Sequence, residues 1–169
     1  MLRIYLTNLG KYNEGFLIGE WLDLPATEEE IEAVKQRIGI NAMYEEWFIT
    51  DYETDIEGVT VGEYESISEL NELAEVLEGL SGEELDKLEA LLEYGCKLVE
   101  ALERIDDCLI WFDCEDMEDV AREYCECTGL LDGIPENIAN YFDFAAFGRD
   151  LSFEGTFIFL STGNCVEIC

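Results

Sequence analysis

The chain contains no histidine and only 9 lysine and arginine residues among its 169. The absence of histidine removes the commonest general base and the usual partner of a catalytic triad. Zinc binding is also disfavoured, because Cys125-x-Cys127 and Cys165-x3-Cys169 lack the paired short spacings of structural zinc sites. Close carboxylate pairs remain the only catalytic device, and nothing distinguishes one pair from the other acids. We therefore expect a protein that is not an enzyme and needs no metal or cofactor.

Membrane, export and nucleotide-binding signals are absent as well. No apolar run approaches the ~20 residues that span a bilayer. The N-terminal segment MLRIYLTNLG lacks the charged region and apolar stretch of a signal peptide, and neither a phosphate-binding glycine loop nor a G-x-S-x-G elbow occurs. Seven cysteines, an odd number without an export signal, favour reduced thiols. We expect a soluble cytoplasmic protein with no membrane partner.

Negative charge is the main feature that is present. Aspartate and glutamate number 41, and the net charge is −32, far more than solubility requires. Divided by composition into 1–61, 62–103 and 104–169, the chain carries net charges of −9, −11 and −12, so the excess is not an acidic tail. Hydrophobic residues make up 49% of the chain, which is enough for a core. Because like charges destabilise a compact state, a requirement other than folding must favour this surface, which would repel nucleic acid.

Apolar periodicity in the first two segments predicts short strands followed by helices. Strand patterns cover Arg3–Asn8, Phe16–Leu24 and Trp47–Asp55, and the third should place Phe48, Thr50, Tyr52 and Thr54 on one face. A T-x-x-E capping box at Thr27 and Glu30 predicts a helix over about 28–38. Two further S-x-x-E boxes, at Ser66 and Ser81, each precede a leucine stripe of helical period, and helix is expected to continue past Gly95 to Glu103.

The third segment again mixes strand and helix. Short strands are predicted at 108–112, 153–160 and 165–168, with helices at 115–127 and after Pro135. The fold class is therefore α+β. We expect three small domains packed end to end: an N-terminal α+β domain with a short antiparallel sheet (1–61), a central helical domain (62–103) and a C-terminal α+β domain (104–169).

The stretch DYETDIEG, residues 51–58, places four acids at alternate positions. Asp51, Glu53 and Asp55 match the first ligand positions of an EF-hand loop, but Ile56 and Gly62 occupy the positions that require glycine and the bidentate glutamate. A strand would instead set successive acids about 6.6 to 6.8 Å apart, similar to the spacing of phosphates along a DNA strand. A solvated strand face explains this stretch alone, but the three segments share the pattern.

Acids at comparable spacing recur in the other two segments. Acids three or four residues apart on a helix lie about 5 to 6 Å apart, and the net charge of −32 equals that of roughly 16 base pairs of duplex DNA. Candidate partner-binding acids come from all three segments: Asp51, Glu53, Asp55, Glu57, Glu69, Glu72, Glu75, Glu78, Asp113, Glu115, Asp116, Glu118 and Asp119.

Three sequence blocks resemble the ArdA antirestriction proteins. They are RIYLTNLGKYNEGFLIGEWLDLP near the start, EEWFITDYET in the middle and LLDGIPENIANYFDFAAFGRDLSFEGTFIF near the end. Their order and spacing match the family across nearly the whole chain, whereas the leucine- and glutamate-rich helices between them are generic.

The resemblance implies a DNA mimic carried on mobile genetic elements. Such a protein occupies the DNA-binding groove of type I restriction-modification enzymes and protects incoming DNA. The family fold is an elongated three-domain homodimer joined through its C-terminal domains. The aromatic residues that would form this contact, unless they serve only as core, are Tyr141, Phe142, Phe144 and Phe147. The alternative is an acidic module for another basic DNA-binding protein, which would share every compositional feature.

Overall fold

The computed structural model describes residues 1–169, which form two compact units, Met1–Leu80 and Ser81–Cys169. Each unit combines helices with a three-stranded antiparallel sheet, so the predicted α+β class is confirmed. The boundary between the units falls inside the predicted central segment 62–103, and the division into three domains stays a prediction. None of the eight α-helices has the length and apolar character needed to cross a membrane.

The first unit is built on a sheet whose strands lie in the order β2 (Gly19–Leu24), β1 (Leu2–Asn8) and β3 (Trp47–Thr54). Leu2, Ile4 and Leu6 alternate along the central strand and enter a core shared with the two longer helices. This alternation explains why the segment forms a strand with one buried face. The elements in chain order are β1 (Leu2–Asn8), α1 (Leu9–Asn13), β2 (Gly19–Leu24), α2 (Glu28–Arg37), β3 (Trp47–Thr54) and α3 (Ile67–Gly79).

A β-bulge interrupts β3 where it pairs with β1. Ile49 lies opposite Leu6, and Asp51 lies opposite the preceding residue of β1, so Thr50 is the extra residue. Phe48 and Ile49 are both buried, whereas Thr50 is exposed. The predicted face shared by Phe48 and Thr50 is therefore wrong, because an inserted residue reverses the alternation of side chains.

The helix starts follow the predicted capping residues with one exception. At α2, Thr27 and Glu30 form both hydrogen bonds of a capping box, and Ser81 and Glu84 do the same at the next helix. In both boxes the bonds donated by the capping residue's backbone N–H and hydroxyl lower the pKa of the glutamate. Ser66 is the N-cap of α3 by position, but its side chain makes no capping hydrogen bond. The third predicted box is therefore wrong.

Removal of the Ser81 hydroxyl should show how much one capping box contributes to the free energy of unfolding. We expect Ser81→Ala to lower the free energy of unfolding of the second unit by about 1 kcal/mol, because the Glu84 N–H loses the Ser81 Oγ acceptor 3.3 Å away. Urea unfolding followed by circular dichroism provides the measurement. Ser66→Ala is the matched control and should change stability by less than about 0.5 kcal/mol; equal losses in the two variants would contradict the assignment.

The second unit has a sheet whose strands lie in the order β4 (Cys108–Trp111), β6 (Cys165–Ile168) and β5 (Thr156–Phe159), with helices against it. Cys165 and Val166 on the central strand are fully buried and point to opposite faces, so both faces are covered. Val120 packs beside Cys165 on one face, and the first helix of the unit contacts all three strands. The elements are α4 (Gly82–Tyr94), α5 (Leu98–Arg104), β4 (Cys108–Trp111), α6 (Met117–Thr128), α7 (Glu136–Ala139), α8 (Phe144–Leu151), β5 (Thr156–Phe159) and β6 (Cys165–Ile168).

Gly148 of α8 lies directly against the start of α6. A Cβ atom on Gly148 would overlap the carbonyl group of Met117 and lie 2.6 Å from its carbon. No larger residue fits there unless the two backbones separate. Gly148 therefore fixes how closely α8, and the aromatic side chains that it carries, approach α6.

Candidate partner-binding surface

The strand part of DYETDIEG places two acids on the exposed side of β3. Asp51 lies opposite Tyr5, and Glu53 lies opposite Arg3. The Arg3 guanidinium is 3.5 Å from Glu53 and 4.4 Å from the centre of the Trp21 ring. Glu53 is thus paired with a base held in place on the sheet, whereas Asp51 makes no ion pair within the chain and is exposed to solvent.

The other two acids of this stretch lie beyond the strand. β3 ends at Thr54, and Asp55 and Glu57 lie in the turn that closes at Gly58 with φ of +85°. Asp55 accepts a hydrogen bond from the amino terminus of Met1, and this bond is the main cause that lowers the Asp55 pKa. All four carboxylates are exposed, but they follow a strand and then a turn instead of one straight strand.

The four glutamates of α3 are all exposed, opposite a buried stripe that includes Leu70, Ala74 and Leu77. Three residues rotate a helix by about 300°. The carboxylates therefore follow a ridge that winds across the exposed side of the helix and do not form a straight row. Neighbours along this ridge lie about 5 to 6 Å apart. The ridge consists of Glu69, Glu72, Glu75 and Glu78.

The acids predicted in the second unit are divided between solvent and the start of α6. The Asp116 carboxylate caps α6 by accepting from the N–H groups of Glu118 and Asp119. Asp119 Oδ2 accepts the Glu115 N–H at 3.2 Å, and Glu118 pairs with Arg122. Three of the predicted acids thus have structural roles, which the D-x-x-D pattern at 116–119 could have indicated because aspartate is a preferred N-cap.

Asp113 adopts a left-handed backbone conformation next to this helix start. Its φ is 51°, the one positive value outside glycine. The Asp113 N–H donates to Asn164 Oδ1 at 3.1 Å, and Asn164 Nδ2 donates to the largely buried Asp86 carboxylate at 2.6 Å. This chain of hydrogen bonds ties the acidic loop to α4. Sequence reasoning missed both Asn164 and Asp86, since neither is near the loop in sequence.

The four aromatic candidates for a dimer contact differ in exposure. The Phe142 ring centre lies 4.9 Å from that of Phe144 and 5.5 Å from that of Phe147, and Phe147 also contacts Tyr124. These three phenylalanines are half-buried within the unit. Tyr141 is 88% exposed. The dimer contact stays a prediction, and Tyr141 is the candidate whose ring is free to meet another molecule.

Most of the few basic residues form ion pairs with acids of the same chain. Lys87 and Lys97 are the only ones of the 9 that form no ion pair. Most carboxylates therefore have no cation opposite them. The ion-paired acids are Glu14, Glu20, Asp23, Glu32, Glu53, Asp55, Asp107, Glu118 and Asp150.

The chemically reactive side chains of this protein are its thiols and carboxylates. No set of three or more cysteine, aspartate or glutamate residues is arranged to hold a metal ion. Burial raises the pKa of the Cys114 thiol to about 11 and that of Cys165 to about 12, which makes both thiols poor nucleophiles. The feature that stands out chemically is the exposed, uncompensated carboxylate surface.

The sequence matches the protein-family model described as "Antirestriction protein (ArdA)" over residues 4–166. The match covers nearly the whole chain and includes the three blocks on which the resemblance rests, apart from Arg3 at the start of the first. No curated protein sequence matches the chain.

Proposed function

The chain belongs to the ArdA antirestriction family, and we propose that it inhibits type I restriction-modification enzymes by occupying their DNA-binding groove as a DNA mimic. The observation that carries this proposal is the exposed carboxylate surface of β3 and α3. Its acids repeat at about 5 to 7 Å, near the spacing of phosphates, and few bases offset them.

The mechanism follows from how proteins hold DNA. Lysine and arginine side chains bind phosphate oxygens, and these contacts supply the sequence-independent part of the affinity. Carboxylates at similar spacing offer the same cations an equivalent set of charge-assisted hydrogen bonds. Base edges are not needed for such binding, so one inhibitor can compete with DNA of any sequence.

The total charge suits this role. A duplex carries one charge per about 1.7 Å of its axis, so a net charge of −32 corresponds to roughly 54 Å of DNA. A homodimer would double that length of charge. We propose a dimer joined through the C-terminal segment, with Tyr141 at the contact, acting in the cytoplasm on DNA that enters with a mobile element.

A displacement titration tests the proposal. Purified protein is added to a type I restriction-modification enzyme bound to labelled DNA, at about 50 mM and about 200 mM salt, and release of DNA is followed by fluorescence anisotropy. Competitive release near stoichiometric amounts of dimer, weaker at the higher salt, is the expected result. An absence of release at both salts would remove the mimic proposal and favour the alternative, an acidic module for another basic DNA-binding protein.

A further inference from the structure

A groove of about 590 Å³ lies between α2 and α3 of the first unit. Its apolar lining is formed by Ala26, Ile31 and Ile67, and its polar lining includes Glu28 and Glu72. The volume lies within the range of about 300 to 1,000 Å³ that is typical of ligand clefts. The combination is an apolar floor with carboxylates along its edges.

The walls of the groove are fixed by contacts within the unit. The Asn71 side-chain oxygen on α3 accepts the Ala26 N–H at 2.5 Å, which ties α3 to the segment that leads into α2. The capping box of Thr27 and Glu30 sets the start of α2, and Ile67 is buried in the core. The groove is therefore formed before any partner arrives, so little ordering cost accompanies binding there.

Two carboxylates at the groove have no basic partner within the chain and could bind a cation of another molecule. Lys35 also lines the groove, but its ammonium is 2.9 Å from Glu32 and 5.9 Å from the centre of the Trp47 ring, so it is already engaged. Glu28 and Glu72 are exposed and form no ion pair within the chain. Two uncompensated carboxylates therefore stand beside the apolar floor.

We propose that this groove receives an arginine side chain from a basic, DNA-contacting segment of the restriction-modification enzyme. Arginine combines an apolar stem, which can pack on Ile31 and Ile67, with a planar guanidinium that can bind carboxylates bidentately. A second copy of this chain fits poorly, because its net charge of −32 would bring carboxylates against carboxylates. The inference rests on the proposed function and adds a specific anchor to it.

Such an anchor would distinguish the inhibitor from DNA itself. A phosphate backbone offers charge but no apolar floor for the stem of the side chain. An arginine in the groove would therefore contribute affinity beyond the charge contacts that DNA also makes. This contribution should also depend less on salt, because a partly buried pair is screened less than an exposed one.

Filling the groove without changing the charge tests the inference. Ser68 lines the groove and is exposed, so Ser68→Trp should obstruct it and weaken displacement of DNA from the enzyme at least ten-fold. Ser68→Ala and Thr60→Trp, the latter at an exposed position outside the lining, should displace DNA as the unmodified protein does. Thermal unfolding by circular dichroism establishes that each variant is folded. Unchanged displacement by folded Ser68→Trp would overturn the inference while leaving the mimic proposal intact.

A peptide experiment tests arginine binding by the groove in the absence of the enzyme. The probe is an alanine-based helical peptide with three arginines on one face, compared with the same peptide carrying lysines. Chemical-shift changes on adding the arginine peptide should concentrate at Ala26, Ser68 and Asn71, and Ser68→Trp should remove them. Equal chemical-shift changes with the two peptides, or changes spread over all exposed acids, would overturn the proposal that the groove binds arginine. This conclusion would hold whether or not the protein displaces DNA from the enzyme.

Discussion

Replacing five exposed acids of the first unit together by their amides should weaken displacement of DNA on the order of 100-fold, whereas each single replacement outside the α2–α3 groove should weaken it less than about five-fold. Exposed charge pairs contribute about 0.2 to 1 kcal/mol each. Five of them sum to about 1 to 5 kcal/mol, and a tenfold change in affinity corresponds to about 1.4 kcal/mol. The five acids form no ion pair within the chain: Asp51, Glu69, Glu72, Glu75 and Glu78.

The same displacement titration measures both effects. Loss of folding would not explain a weaker inhibitor, because removing like charges should stabilise the compact state. The variant with all five replacements should therefore melt at a higher temperature than the unmodified protein while displacing DNA less well. If one replacement, such as Asp51→Asn, abolished inhibition alone, a single specific site would replace a distributed charge surface as the explanation.

Local sequence signals predicted most of the helices and strands. The boxes at Thr27 and Ser81 mark real helix starts, and α6 lies within one or two residues of its predicted bounds, because caps and apolar stripes act over a few neighbouring residues. The break at Gly95 was not predicted. It separates α4 from α5 through a left-handed conformation with φ of 106°, which the continuing apolar pattern concealed.

Elements that depend on distant contacts could not be predicted in this way. The five-residue helix α1 is capped by Asn8, whose side chain accepts the Lys11 N–H and donates to the Ile38 carbonyl 30 residues away. Helix α8 was also missed, because its position depends on the close approach of Gly148 to Met117. The bulge at Thr50 and the unit boundary after Leu80 likewise follow from pairing and packing that no short window contains.

The sequence predicted which acids of the candidate surface are exposed, but not how they are arranged or paired. Every acid proposed on β3, on the turn after it and on α3 is exposed, as expected for residues opposite an apolar stripe. The sequence did not predict which acids already have partners, since Arg3, Arg122 and the amino terminus reach their carboxylates only in the folded chain. Nor did it indicate the α2–α3 groove, whose walls are about 40 residues apart in the chain.

Added salt should stabilise this protein against heat. Between about 20 mM and 500 mM sodium chloride we expect the melting temperature to rise by about 5 °C or more, because the Debye length falls from roughly 20 Å to about 4 Å and screens the repulsion among uncompensated carboxylates. Relief of 1 kcal/mol corresponds to about 4 to 8 °C for a unit of roughly 80 residues. Differential scanning calorimetry at several salt concentrations provides the measurement.

The variant with all five amide replacements is the matched control for that measurement, since its net charge is five units less negative than −32. Its melting temperature should be higher at low salt and should rise less steeply as salt is added. A flat or falling dependence in the unmodified protein would mean that bound cations already neutralise the acids. In that case a restriction-modification enzyme would have to displace those cations, and their release would contribute to the affinity as counterion release does when proteins bind DNA. The salt dependence of stability thus determines how the salt dependence of inhibition should be interpreted.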